Sequence, residues 1–277
     1  MLNLTVFAIA SALSLSGPND SQLGVAPALT YADVADLALA APITAHVRLT
    51  QAVRLKGKEA ANVPSGKTRF YVEADVISLI RGPSGIPASV SYLVDLPNDQ
   101  KGRPPRIAKK SEYFISASAV AGRPGELRLA AADGQMPWVP ATGDRIRGIL
   151  SEASRSDAPP KITGMGRAFH VTGTLPGEGE TQIFLQTAEQ RAVSLSIIRR
   201  PGEQPRWSVA LSEIVDDAAE SPKRDTLLWY RLACGLPGVL PAFSFSDADA
   251  AQASAIRADY QLVLHQLGPC TRTRTGG

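Results

Sequence analysis

Alternation of apolar and polar residues with a period of two is the feature that most limits how this chain folds. It recurs in three early segments, on the faces formed by Ile43 to Gln51, Phe70 to Val76 and Val90 to Leu96. Such alternation is typical of β-strands with one buried face, and the β-branched and aromatic content agrees with it. Two further strands are predicted over residues 112–119 and 126–131. The first half of the chain is therefore predicted to be mostly β.

Five strands of this length are enough to close into a small barrel, which leaves no sheet edge exposed. A helix from Tyr31 to Ala41, capped by Thr30, is predicted before the strands, and a helix starting at Thr142 or Asp144 after them. This order of elements resembles an OB-type barrel, such as the netrin-like modules. The resemblance implies a five-stranded antiparallel barrel with flanking helices, and it assigns no functional residue.

The second half is predicted to begin with an antiparallel β-meander. Pro176-Gly177 and Pro201-Gly202 are turn signals between strand-like segments, which are predicted at 167–175, 181–187, 192–198 and 207–211. Two helices follow, one near Thr226 to Cys234 and one from a Ser246 cap to Leu267. The apolar stripe of the second helix is expected to pack on the meander. The predicted fold class is thus α+β, mostly β.

The chain divides into three predicted parts. Residues 1–16 form a signal peptide, residues 23–155 an OB-like barrel domain with flanking helices, and residues 162–277 a domain of β-meander and two helices. The polar, proline-containing stretch from Ser154 to Lys161 is the predicted linker. The alternative is that this stretch is a loop within a single domain.

The leading residues 1–16 have the apolar core of a secretory signal, and Ser14 and Ser16 fit a cut before Gly17. The apolar run is shorter than the roughly 20 residues that span a bilayer. A first core element of a cytoplasmic protein is the alternative, because the run lacks a preceding Lys or Arg. We predict a periplasmic or secreted protein with no transmembrane segment in the mature chain, similar to other exported proteins of proteobacteria.

Cys234 and Cys270 are the two cysteines of the chain. An even count in an exported protein predicts a disulfide. Cys234 ends a helical segment before Gly235, and Cys270 follows the helix-ending Gly268-Pro269, so a bridge would tie two helix ends together. It would close a loop of about 37 residues, for which chain entropy gives roughly 4 kcal/mol. Two unrelated buried thiols are the alternative.

The most distinctive functional feature is a basic segment without an acidic residue. It has five cations in ten residues, and Pro104-Pro105 stiffens its centre; the cations are Lys101, Arg103, Arg106, Lys109 and Lys110. In an exported protein such a segment is suited to bind anionic lipid head groups or polymers. The alternative is a solvated loop between strands.

Three short motifs resemble nucleotide or catalytic motifs but fail on inspection. The segment Ser65 to Thr68 imitates the end of a phosphate-binding loop, yet it lacks the earlier glycine and the following helix. The segment Gly82 to Gly85 lacks the spacing of a nucleophile elbow. The segment Gly164 to Gly166 lacks the third glycine of a dinucleotide site. All three are predicted to be turns.

Titratable side chains are scattered. His46, His170 and His265 lie far apart in sequence, and His170 is the best single candidate for a general base. Two acidic clusters could in principle bind Ca²⁺ or act as an acid–base pair, but both are predicted to be solvated turn or helix-end charges: Glu178 with Glu180, and Asp216 with Asp217 and Glu220. We predict no metal, no cofactor and no assigned catalytic residue.

The net charge of +3 is too small for a nucleic-acid binder, so no nucleic-acid partner is expected. The leading hypothesis is a non-enzymatic binding or assembly module whose partner is an anionic envelope component or a protein. The alternative is a periplasmic hydrolase with a dispersed site around His170. A purely structural pair of domains is the third hypothesis.

Overall fold

Two β-sheets and four α-helices form the fold within residues 29–83, 86–211 and 220–274, the parts of the chain that the computed structural model describes. The first sheet has six strands and the second has four. This architecture confirms the predicted α+β, mostly β class. The predicted signal peptide, residues 1–16, lies outside the described residues.

Five strands of the first sheet close into a barrel. They are β1 (Ile43–Arg54), β2 (Lys67–Arg81), β3 (Ser89–Pro97), β4 (Glu112–Ala119) and β5 (Glu126–Leu129). Hydrogen-bonded neighbours follow the order β1-β2-β3-β5-β4, and β4 also pairs with β1, which completes the ring. A short 3-10 helix, Gly57–Ala60, lies in the connection between β1 and β2. The barrel is compatible with the OB-type resemblance.

The faces predicted from the alternating pattern line the barrel interior. Residues at every second position are buried against one another along β1 as far as Leu49, along β2 from Phe70 to Ala74, and along β3 from Val90 to Val94. The pairing of β1 with β2 shifts register between Leu49 and Gln51, and Gln51 is exposed. The shift ends the alternation because a bulge turns the following side chains away from the interior.

One strand pair differs from the predicted antiparallel arrangement. β5 runs parallel to β3, with Ser91 opposite Glu126 and Tyr92 opposite Leu127. The other four pairs around the ring are antiparallel. Directions cannot alternate around a ring with an odd number of strands, so closure of five strands requires at least one parallel pair.

The first half is completed by α1 (Tyr31–Ala40), β6 (Gln135–Pro137) and α2 (Pro140–Ala153). Thr30 caps α1 as predicted: its hydroxyl accepts a hydrogen bond from the Asp33 N–H, and the Asp33 carboxylate accepts one from the Thr30 N–H. The helix α2 begins at Pro140, two residues before Thr142, the first of its two predicted starts. Proline is favoured at the first helical position. Strand β6, which pairs with β4, was not predicted.

The second half forms the predicted antiparallel meander. Its sequential strands are β7 (Ile162–Thr172), β8 (Gly179–Thr187), β9 (Val193–Arg199) and β10 (Arg206–Ala210). The helices α3 (Leu227–Ala233) and α4 (Ala250–Leu267) follow, and α4 packs on β7 and β8 as expected. The prediction of a Ser246 cap was wrong: Asp249 caps α4, since its carboxylate forms a reciprocal pair with Gln252.

Two apolar cores result. The barrel interior is built from β1 to β5 alone. The other, here called the shared core, joins elements of both halves. From the first half it takes residues of α1, α2, β4 and β6, among them Leu37, Phe114 and Ile149. From the second half it takes residues of the meander, α3 and α4, such as Trp229 and Ile256.

Cys234 and Cys270 are 36 positions apart in sequence and lie in disulfide geometry, with their Cα atoms 5.2 Å apart. The pair links the end of α3 to the segment that follows α4, which is compatible with the predicted bridge. None of the helices in the described ranges has the length and apolar character needed to cross a membrane.

Candidate anion-binding surface

The predicted basic residues lie in the connection between β3 and β4, which is fixed to the barrel at its start. The Asn98 N–H donates to the Gly66 carbonyl at 2.8 Å, and the Thr68 hydroxyl donates to the Asn98 side chain at 2.7 Å. The Asp99 carboxylate accepts hydrogen bonds from the backbone N–H groups of Lys101 and Arg103. The connection therefore leaves the barrel in a defined direction.

The far end of the connection is fixed as well. Ile107 packs against the residues of the barrel interior, and the Lys110 N–H donates to the Leu49 carbonyl at 2.9 Å. Lys110 has a φ of +66°, a left-handed conformation in which the chain turns sharply into β4. The basic side chains are thus carried on a loop whose two ends are held by backbone hydrogen bonds.

All five predicted cations are exposed. Arg103 pairs with Asp99 at 2.7 Å, and the hydrogen bonds from Arg103 lower the pKa of the Asp99 carboxyl. Within the described residues, the other four make no ion pair: Lys101, Arg106, Lys109 and Lys110. Their charges are therefore available to an anionic partner.

The structure adds a second basic segment to this loop. Arg54 at the end of β1 is exposed, and so are Lys56 and Lys58 in the connection that follows it. The strand registers place it at the same end of the barrel, because Lys67 of β2 lies opposite Pro97 of β3. Sequence reasoning missed these residues, since they are about 45 positions from the predicted loop and only strand pairing brings them close.

We call this surface the basic end of the barrel. It comprises residues 54–66 and 98–110, and it has eight basic residues against two acidic ones, Glu59 and Asp99; the basic residues are Arg54, Lys56, Lys58, Lys101, Arg103, Arg106, Lys109 and Lys110. The chain as a whole has a net charge of only +3. Positive charge is therefore concentrated at this end of the molecule.

A groove of about 630 Å³ lies on the outer face of β2, β3 and β5. Tyr71 and Leu93 contribute apolar surface to it, and Arg128 contributes an exposed guanidinium. Arg69 and Asp95 form a bidentate ion pair in the groove: the guanidinium donates one hydrogen bond to each carboxylate oxygen, at 2.7 and 2.8 Å. Arg69 also donates to the Ala61 carbonyl at 3.3 Å, so the groove begins beside the basic end.

The candidate base His170 belongs to a chain of polar side chains between the meander and α4. Its Nδ1 lies 2.8 Å from the Thr181 hydroxyl, which donates in turn to the Asp259 carboxylate. Asp259 also forms an ion pair with Arg199 at 2.5 Å. Thr181 and Asp259 are fully buried, so this network connects the sheet to the helix.

The other two histidines do not belong to the His170 network. The Nε2 of His46 lies 2.8 Å from Glu112, and its ring stacks on Trp138 with centroids 3.6 Å apart. Hydrogen bonds from Arg48 and then His46 lower the pKa of the Glu112 carboxyl. His265 is exposed near the end of α4. Within the described ranges, no group of three or more His, Cys, Asp or Glu side chains is arranged to hold a metal ion.

Three of the five acidic residues predicted to be turn or helix-end charges lie in the described parts of the chain. The Glu178 carboxylate accepts hydrogen bonds from the Thr174 and Leu175 N–H groups and so closes its own turn. Glu180 accepts one from Ser196. Asp216 and Asp217 lie outside the described residues, while Glu220 is exposed.

Comparison with protein-family models found no match, and comparison with curated proteins found no significant similarity. The functional argument therefore depends on the geometry and charge of this chain.

Proposed function

We propose that this protein is an exported, non-enzymatic binding module that attaches to anionic phospholipid head groups of the cell envelope through the basic end of its barrel. The observation that carries the proposal is the meeting of two basic segments, distant in sequence, at one end of the molecule. The apolar leader and the cysteine pair support an extracytoplasmic setting.

The distribution of the charges favours an extended surface as the partner. The eight basic residues are exposed on two separate segments of the chain, and none of them lines the groove. Each Lys or Arg close to an anionic membrane surface contributes about 1 kcal/mol, and the attraction falls within a Debye length of about 10 Å at 0.1 M salt. Several such residues give reversible, salt-sensitive attachment.

Sedimentation with lipid vesicles tests the proposal. The exported chain should co-sediment with vesicles containing phosphatidylglycerol at low salt, remain in solution with vesicles of phosphatidylcholine, and be released as the salt concentration rises. The double variant Lys109→Glu/Lys110→Glu should lose retention, because it replaces two attractive charges by two repulsive ones.

A second double variant tests the second basic segment, which only the folded chain brings to the basic end of the barrel. Lys56→Glu/Lys58→Glu changes the other segment of the basic end and should weaken retention to a similar extent. The matched control is Lys161→Glu/Lys223→Glu, which makes the same change in net charge at exposed positions of the second half. Unchanged retention of both barrel variants, or equal loss in the control, would overturn the proposal.

The hydrolase centred on His170 remains the alternative function. Its supporting observation is the polar chain from His170 through Thr181 to Asp259. A hydrolase of this kind should cleave a chromogenic ester, and His170→Ala should remove that activity without loss of folding. Turnover that survives this change, or no turnover by the wild-type chain, would exclude it.

A further inference from the structure

The last described residues of the chain lie across the first helix. We call residues 270–274 the C-terminal strap. It follows α4, which belongs to the second half, yet its hydrogen-bond partners Asp33, Asp36 and Asp133 all belong to the first half. The contacts with Asp33 and Asp36 span more than 230 positions in sequence and join the two ends of the described chain.

Asp33 of α1 is the centre of these contacts. Its carboxylate accepts hydrogen bonds from the Thr273 N–H at 3.0 Å, the Thr273 hydroxyl at 2.7 Å and the Arg274 N–H at 3.1 Å. The same carboxylate caps α1 through the Thr30 N–H, and it is fully buried. Loss of the strap would remove most donors from a buried charge, which is costly, so α1 and the strap depend on each other.

Two arginines extend the attachment. The Arg272 guanidinium pairs with Asp36 of α1 at 2.6 Å, and Asp36 also accepts a hydrogen bond from the Tyr230 hydroxyl at 2.7 Å. The Arg274 guanidinium pairs with Asp133, in the turn between β5 and β6, at 2.9 Å. The strap therefore connects α1 to α3 and to the barrel.

The cysteine pair anchors the start of the strap. Gly268, with a φ of +69°, and Pro269 end α4, so without the disulfide the nearest element that covalently anchors the start of the strap is α4, which ends at Leu267. The bond between Cys270 and Cys234 fixes the chain two residues before Arg272. A shorter tether keeps the strap at a higher effective concentration at its site on α1.

We propose that the Cys234–Cys270 disulfide and the C-terminal strap form a redox-sensitive latch that holds α1 in place. When the disulfide is closed, the strap is bound to Asp33 and Asp36. A dithiol reductant transfers two electrons and two protons to the disulfide, which becomes two thiols while the reductant becomes a disulfide. The strap then dissociates more often, and α1 opens locally while the barrel strands stay paired. This latch is independent of binding by the basic end.

Amide hydrogen exchange tests the latch on the oxidised full chain, before and after reduction with dithiothreitol and alkylation of the thiols. Exchange in α1 should accelerate by roughly tenfold or more, whereas β2 and β3 should keep their protection. Arg272→Ala/Thr273→Val should accelerate exchange in α1 with the disulfide intact. Thr271→Val, a neighbouring change in the strap, should leave it unaltered.

Two results would overturn the latch. One is unchanged exchange in α1 when mass spectrometry shows both cysteines alkylated. The other is an equal rise in α1, β2 and β3, which would mean that the disulfide stabilises the whole molecule and not the helix in particular. Reduction of the already folded protein avoids dependence on variants that fold poorly, and Cys234→Ser/Cys270→Ser should be insensitive to the reductant.

Discussion

The barrel interior and the shared core differ in how they are assembled, although both consist mainly of apolar side chains. The barrel interior uses five strands from one stretch of the chain, and each strand contributes every second residue. The shared core needs helices and strands from both halves. Phe114 and Ile115, neighbours on β4, show the difference directly, since Phe114 points into the shared core and Ile115 into the barrel.

This comparison shows that one strand can contribute to two cores, one formed by contacts within a short stretch of the chain and the other by contacts between its two halves. The barrel interior depends on contacts within residues 43–129. The shared core depends on how the meander, α3 and α4 dock on α1 and α2. We therefore expect damage to the barrel interior to act locally, and damage to the shared core to reach both halves.

The largest expected effect is that of Phe114→Ala. Truncation of a buried phenylalanine costs about 3–5 kcal/mol, and this one should reduce the protection of both the barrel and the meander. Ile115→Ala should cost about 2–5 kcal/mol and mainly loosen the barrel. Urea unfolding combined with amide exchange of β2 and β8 separates the two. If both variants affected β8 equally, the distinction between the cores would fail.

A similar comparison is offered by one buried carboxylate in each half. Asp95 pairs with Arg69 in the barrel, and Asp259 pairs with Arg199 beside the shared core. Removal of one partner of such a pair costs about 3 kcal/mol, somewhat less where the arginine is partly exposed. We expect Asp95→Ala to lower the free energy of unfolding at least as much as Asp259→Ala, because Arg69 is 21% exposed and Arg199 34%.

Double variants test whether the two residues of each ion pair are energetically coupled. Arg69→Ala/Asp95→Ala and Arg199→Ala/Asp259→Ala should each lose less stability than the sum of their single changes, because neither leaves an unpaired charge. Additive losses in urea unfolding would show that the pairs are not coupled.

The smallest expected effect depends on pH and concerns Asp33. Burial acts to raise its pKa, but hydrogen bonds from Thr273, Thr30 and Arg274 outweigh burial and lower the pKa to about 2. Its ordinary value is 3.8, so the stability that it contributes is present above about pH 4 and is lost as the pH falls from there toward 2. Thermal unfolding across that range should show a smaller slope for Asp33→Asn than for the wild type. Equal slopes would show that Asp33 is not the group responsible.

Much of the fold could be predicted because its signals are local. The alternating faces around Val47, Val72 and Val94 were enough to place three strands, and Thr30 marked the start of α1. The cap of α4 was misplaced because Ser246, Asp247 and Asp249 are all good capping residues. Only the reciprocal hydrogen bonds with Gln252 distinguish Asp249. Strand β6 is only three residues long, too short for a periodic signal.

The candidate site could be predicted only in part. The five cations from Lys101 to Lys110 were visible as a cluster in sequence, and the cysteine pair was visible from its count and its positions at helix ends. Arg54, Lys56 and Lys58 gave no such signal, because the local sequence does not show which strands pair and therefore which connections lie at the same end of the barrel. The role of Asp33 beneath the strap was equally hidden, since its partners are about 240 positions away.

The sequence by itself determined which segments become strands and helices, which side of each is apolar, and where one run of positive charge lies. These follow from side-chain periodicity and backbone capping, which act over a few residues. The tertiary structure decided that the five strands close with one parallel pair, that a second basic segment joins the first, and that the two halves share a core beneath α1. These depend on strand register and docking between distant segments, whose free energies no local stretch of sequence contains.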